Sequence, residues 1–320
     1  MARFTARDLE QEAARQLRRA QNDPRRLSAL HAAAALAASV LLTLTHILLA
    51  RGISNTGGLS GIGTRSVYES MQYILQMGIA LLLPFWEMGF IYCALGFARG
   101  QTITGRDLSA GFRRVGPLLS FWFVQTLIYF LVVIFVMQAA SMLYALTPFS
   151  APLIENIEQL LNDPTFRQTG TIPQDMTEQL FMGLLPVYIA TGIISLGVIA
   201  PVAYLFRLTP YGIFSGERSG ALRSILESCR LMWRNFTAFL KLDLHFWWYY
   251  LLTALVTLVA NLDILLPLLG AQLPLGNEET TLACLALHVI ANLLIAWFLR
   301  SRVETVYACA YNRLVTREEE

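Results

Sequence analysis

The chain has 320 residues, of which 55% are hydrophobic and only 14% charged, with a net charge of +2 and a mean hydropathy of +0.51. Soluble domains carry about 25% charged residues, so this composition excludes an ordinary soluble domain and makes lipid the solvent. Arginine outnumbers lysine twenty-three to one, with Lys241 alone, which reads as a GC-rich, bacterial coding bias and not as a functional choice.

The polar front, 1–27, comes first. "DLEQEAARQLRR" is a good intrinsic helix former, with Asp8 as an N-cap and acids ahead of bases. Leu9 and Leu17 are nearly its only large apolar residues, so it is expected to project into the cytoplasm, towards a partner. A membrane helix needs about 20 apolar residues. Runs at 28–50, 70–98, 117–146, 180–213, 236–268 and 280–300 meet that length. A secretory signal has a short basic region and 7–15 apolar residues. Here 27 polar residues precede a longer run, so the first helix is expected to stay uncleaved.

Between the first two runs, "GGLSGIG" at 57–63 reads as a flexible turn, because no basic phosphate-binding residue comes after it. The second run carries Pro84 and Glu87, and a basic segment with Arg106, Arg113 and Arg114 comes next. After the third run, 151–178 is acidic, and a short helix fits 152–162. The fourth run holds Pro186, Pro201, Arg207 and Pro210. Proline removes a backbone donor, so kinks are expected. In 221–234, Leu222, Ile225, Leu226, Cys229 and Met232 recur at helical spacing, with Arg223, Arg230 and Arg234 mainly outside that stripe. Such a helix suits an interface, its arginines among anionic headgroups or against a protein partner. The same pattern also serves as a plain topology signal with a packing face. Lys241, Asp243 and His245 open the fifth run, Asn261 and Asp263 lie near its end, and His288 and Asn292 lie in the sixth. Residues 301–320 read as a cytoplasmic tail.

Nineteen arginines flank one side of these runs, and Arg51, Arg65 and Arg167 are alone on the other. The positive-inside rule then places both termini in the cytoplasm of a cell whose inner membrane holds the protein. A basic segment, a span, an outer loop and a returning span recur three times. Pro84 precedes Arg113 by 29 positions, as Pro201 precedes Arg230. The fold expected is therefore all-α: six transmembrane helices with cytoplasmic amphipathic helices and a three-fold repeat, the membrane domain covering 28–300.

Ionisable groups at membrane depth are costly and are functional candidates by default. Glu87 and Arg207 lie 3 and 6 residues past the matched prolines. An ion pair between them would offset the burial of each. It would act as a register-fixing pair or as a gate. Asp243 and His245 complete the candidate polar site, with Arg230 or Arg234 as partners for Asp243. Arg113, Arg114, Arg223, Arg230 and Arg234 are the expected lipid or partner contacts. Cys93, Cys229, Cys284 and Cys309 show no CxxC spacing and read as packing residues. No P-loop, HExxH or GxSxG occurs, so no catalytic residue, metal or cofactor is expected, and nothing calls for nucleic acid.

"PFWEMGFIYCALGFARG", "DLSAGFRRVGPLLSFWF" and the stretch from Pro201 to Leu252 resemble a family of bacterial six-pass membrane proteins known as a domain of unknown function (number nine-seven-five). Pro201, Tyr211, Ser228, Leu231, Met232, Leu242, Leu244 and Phe246 carry the likeness, with Thr305, Ala308 and Tyr311 near the end. Ser301 and Arg302 depart from the family's Pro-Tyr. The resemblance implies a polytopic bacterial membrane protein and no activity. A looser likeness exists to the membrane portion of some glycerophosphodiester phosphodiesterases, without their catalytic barrel. The function expected is that of a non-enzymatic membrane protein that assists or scaffolds other machinery. The alternatives are a transporter or lipid-handling permease with a polar site between spans, and an intramembrane enzyme.

Overall fold

A computed structural model describes residues 5–55, 60–162, 166, 174–216, 220–262 and 277–319. Among the described residues there is no strand. The helices, in chain order, are α1 Ala6–Arg19, α2 Pro24–Asn55, α3 Ser60–Ala98, α4 Val115–Ala145, α5 Ala151–Asn162 and α6 Gln174–Leu205. They continue as α7 Thr209–Ser215, α8 Ala221–Arg234, α9 Phe236–His245, α10 Trp247–Ala260, α11 Asn277–Ile295 and α12 Ser301–Glu319. Five helical stretches among the described residues are long and apolar enough to cross a membrane, and the bent pair α9–α10 makes a sixth if counted as one span. The protein is thus all-α and polytopic, as its composition predicts. Asp263 and the side chain of His46 lie outside the described residues, as do 57–59 of the glycine-rich segment. From Ser60 onward that segment is not a turn but the start of α3.

The described chain divides into two compact units, Met1–Leu118 with Leu208–Glu320, and Leu119–Arg207. In the larger unit α3 is the central pillar. It ends in a Schellman turn: Gln101 N–H donates to Gly96 C=O (2.9 Å), and Gly100 N–H donates to Phe97 C=O (3.0 Å). Gly100 takes φ +68°, the left-handed conformation this cap needs. The chain then folds back as a short helical connection over 105–113. Gly89 faces the Leu108 carbonyl and Gly111 faces the Phe85 carbonyl so closely that a Cβ on either would collide with backbone. Leu27, Phe90, Cys93, Phe97, Ile103 and Leu108 form the core between these pieces.

Two expectations fail in this unit. α1 does not project away. A capping box between Thr5 and Asp8 starts it, so Thr5 and not Asp8 is the N-cap. Leu9 and Ala13 are wholly buried, and α1 lies against α12, α3 and α9. Nor do residues 301–319 project as a free tail. They form α12, whose Val303, Val306, Tyr307, Ala310, Tyr311 and Leu314 are buried. A π-helical turn, Ala296–Arg300, joins α11 to α12. The expected fifth span, 236–268, is likewise broken: α9 and α10 diverge by 61°. Phe246 at the break has φ −101° and ψ 16°, in the bridge region. Its buried ring packs on His245 at 5.0 Å and Tyr307 at 6.2 Å, and that anchorage holds the bend.

In the smaller unit α4 is apolar on every side, and of its residues only Leu118, Phe121 and Ala140 are buried, the pattern of a helix facing lipid. α5, amphipathic as the expected 152–162 helix, lies along α6. The two approach closely at Gly183, where an added Cβ would stand 3.0 Å from Leu153 Cδ1. Tyr144 of α4 donates to Gly183 C=O at 3.0 Å. At the other end of the hairpin Phe121 meets Phe206 edge-on at 6.5 Å.

Candidate functional site

The polar side chains of the larger unit gather around α12 and the π turn before it. A π turn adds a residue to the helix and re-aims the side chains beyond it. Here the turn delivers Arg300 to Glu87 of α3, with which it forms a close ion pair. The same guanidinium reaches His31 Nδ1 at 3.2 Å and lies over the Phe90 ring at 4.7 Å. His31 is itself locked to α3. Trp86 Nε1 donates to His31 C=O, His31 Nε2 meets Trp86 C=O, both at 2.9 Å, and the rings stack at 5.3 Å. His31 is wholly buried. Arg300 thus satisfies the Glu87 carboxylate, and the reciprocal His31–Trp86 bonds, with His31 also meeting Arg300, tie α2, α3 and the π turn together. That is the arrangement a polar group in a low-dielectric interior requires.

One helical turn further, Glu304 accepts from Tyr211 of α7 at 3.2 Å. Tyr211 stacks on Tyr311 at 5.7 Å, and the Tyr311 and Ser215 hydroxyls are 2.9 Å apart. Tyr307 donates to Asp243 of α9 in a short hydrogen bond, and its hydroxyl stands 2.7 Å from that of Tyr250. Nearer the chain start, Glu10 of α1 receives His245 at 3.2 Å and Arg302 at 3.1 Å, while Arg313 pairs with Glu12. A surface cleft of about 400 Å³ runs along this seam, lined by Glu10, Gln11, Ala14, Arg15, Arg18 and Arg302.

The structure therefore brings Glu87, Asp243 and His245 into one unit, joined respectively to the π turn, to α12 and to α1. The partner it gives Glu87 is Arg300, not the Arg207 expected from the matched prolines. Arg207 belongs to the other unit, where its guanidinium lies 5.9 Å from the Tyr204 ring centroid. Asp243 accepts from Tyr307 and, at 3.5 Å, from Tyr250. His288 and Asn292 answer each other within α11: Asn292 Nδ2 stands 3.2 Å from the ring nitrogens and donates to His288 C=O at 3.0 Å.

The arginines expected to meet lipid divide into two sets. Arg113 clips Asp107 at 3.1 Å and lies 5.8 Å from the centroid of the Tyr92 ring, and Arg114 donates to Gly216 C=O at 3.4 Å. Both staple the 99–118 connection. Burial works against ionisation of Asp107, yet the Thr104 amide and hydroxyl and the Arg113 guanidinium outweigh it and hold the carboxyl below its ordinary range. Arg223, Arg230 and Arg234 are exposed on α8.

α8 has three faces, where the sequence suggests two. Ala221, Ser224, Ile225, Ser228, Leu231 and Met232 are buried, chiefly towards α7. Leu222, Leu226 and Trp233 are 65%, 70% and 77% exposed and, with half-buried Cys229, make an apolar stripe. Arg223, Glu227, Arg230 and Arg234 form a charged stripe one position on. Burial pushes the Cys229 thiol up, in keeping with a packing residue. The remaining cysteines are free and buried, and among the described residues no cluster of His, Cys, Asp and Glu could hold a metal.

Sequence reasoning missed Arg300, His31, Glu304 and Tyr307 as members of the polar belt. One signal was available: Val303, Val306, Tyr307, Ala310, Tyr311 and Leu314 keep to a helical stripe inside the presumed tail. These features define a polytopic helical membrane protein with an internally satisfied polar belt beside an arginine-bearing, half-apolar surface helix. No family model, curated protein or solved structure matches the chain.

Proposed function

We propose that this is a non-enzymatic protein of the bacterial inner membrane, with both termini in the cytosol, that assists other membrane or envelope machinery through its arginine-bearing helices. The observation that carries the reading is α8. A helix that buries one face in its own protein has no structural need for a second, exposed apolar stripe. Leu222, Leu226 and Trp233 beside Arg223, Arg230 and Arg234 match the boundary between acyl chains and anionic headgroups. The arginine count at this end of the helices supports its cytosolic placement. The cleft along α1 offers a second basic surface, to lipid or to a protein partner. Partners for Glu87 and Asp243 within the protein favour this reading over a permease with a polar site between spans.

Native mass spectrometry of the protein extracted from mixed phosphatidylglycerol and phosphatidylethanolamine bilayers tests it. Near an anionic surface each arginine is worth about 1 kcal/mol. The variant R223Q/R230Q/R234Q should therefore lose its preference for phosphatidylglycerol by about ten- to a hundredfold. An unchanged preference contradicts the proposal.

A further inference from the structure

The smaller unit holds an apolar groove of about 790 Å³ between α4, α5 and α6, within the size range of small-molecule sites, roughly 300–1,000 Å³. From α6 it uses residues from Gln179 to Ile194, about 22 Å of helix at 1.5 Å per residue. The groove is long and graded. Thr147, Asn156 and Gln179 stand at the loop end, while Ala140, Ala190 and Ile194 line the part further along the spans. We propose that this groove is a specific site for one amine-bearing zwitterionic phospholipid, of the phosphatidylethanolamine type, its acyl chain along α6 and its head at Asn156 and Gln179.

Two arguments fix that occupant. The apolar floor lies along two membrane spans, where the medium that fills it is lipid and the ligand is amphipathic by position. The charge at its polar end selects the head. α5, which forms that end, carries Glu155 and Glu158, both exposed, and no basic residue. Glu155 is exposed next to the lining residue Asn156. An ammonium is favoured there, and a net anionic head is opposed by like charge. The walls of the groove are tied by defined contacts: Tyr144 anchors α4 to the Gly183 carbonyl, and Leu153 packs over Gly183 where a Cβ would crowd it.

The test uses the whole protein in liposomes doped with phosphatidylethanolamine bearing a diazirine in its acyl chain. After photolysis, adducts are mapped by peptide mass spectrometry. In the wild-type chain, adducts at Val187, Ala190 and Ile194 should exceed those at Phe181 and Tyr188, on the far side of α6, by about tenfold, equivalent to 1.4 kcal/mol of preference. Ala190→Trp fills the groove and should erase that excess, while Tyr188→Trp leaves it. A phosphatidylglycerol probe with the same tail should show no excess. Equal labelling of both sides of α6 in the wild-type chain means ordinary boundary lipid only and overturns the site. An equal excess with phosphatidylglycerol overturns the head assignment. The Arg223/Arg230/Arg234 measurement reads a different helix, so failure of either proposal leaves the other distinguishable.

Discussion

α3 buries Phe85, Phe90, Cys93, Ala94, Leu95, Phe97 and Ala98, whereas α4 buries only Leu118, Phe121 and Ala140 along its length. The two helices also differ in what they carry. α3 holds Glu87 and Trp86, each engaged by another helix through Arg300 and His31. α4 has no ionisable side chain other than tyrosine, and its Gln125 finds Tyr129 one turn away at 2.8 Å. Apolar attraction between helices is weak in lipid, because the tails are as apolar as leucine. The larger unit therefore fixes its register with polar pairs and close glycine contacts. In the smaller unit the described contacts between helices include the Tyr144 bond to the Gly183 carbonyl, the close approach of Leu153 to Gly183 and the Phe121–Phe206 ring pair. Glu87 of α3 is met by a second helical segment, whereas the Gln125 amide of α4 is met from within its own helix.

If that contrast is right, the largest effect comes from Arg300→Ala. Removing one partner of a buried ion pair costs about 3–5 kcal/mol when burial is complete, and somewhat less here because Glu87 keeps part of its surface. Chemical unfolding in detergent should show the loss, and Glu87→Gln combined with Arg300→Gln should recover much of it. A cost near zero would mean that the pair does not hold α3 to the π turn. Leu9→Ala should rank next, at about 2–4 kcal/mol, because the side chain is wholly buried between α1 and α12. A freely projecting α1 would show no change. Gly89→Ala should cost about 1–3 kcal/mol by forcing backbone apart, while Gly78→Ala, with open space around it, should be neutral or slightly stabilising. Thermal midpoints of the two variants measure the difference.

Smaller effects sharpen the comparison from the other side. Tyr144→Phe removes one hydroxyl bond in the smaller unit and should cost about 0.5–1.5 kcal/mol. Asp107 contributes with a defined sign. Its carboxyl is held below the ordinary range, so its stabilisation is fully present above that range and is lost as pH falls through the lowered folded value. Asp107→Asn should therefore weaken the wild type's acid sensitivity below the ordinary carboxylate range and leave the neutral-to-basic slope unaltered.

The spans were legible because 20 or more apolar residues in a row have few other uses, and α5 was legible from its amphipathic pattern. The break at Phe246 was not. It depends on a ring finding its pocket beside Tyr307, 61 residues on, and no local signal such as proline marks it. Pairings resisted prediction for the same reason. Glu87 and Arg300 are 213 positions apart, and matched prolines drew attention to Arg207. α12 is the instructive case. Its charged residues made it look like a tail, although its apolar spacing was that of a core helix. The arginine-bearing stripe of α8 was visible as residue types, but its division from the buried stripe depends on α7, which covers only one side.

Sidedness with respect to the membrane is the most direct test of where the arginine-bearing helices lie. Arg19→Cys and Glu158→Cys lie at exposed positions at the arginine-rich and acidic ends of the helices. Labelling with a membrane-impermeant maleimide, in spheroplasts and in inverted vesicles, reports which compartment each faces. Arg19→Cys should react only in inverted vesicles and Glu158→Cys only in intact spheroplasts. Reaction of Arg19→Cys from outside intact spheroplasts would contradict a cytosolic placement of the arginine-rich end.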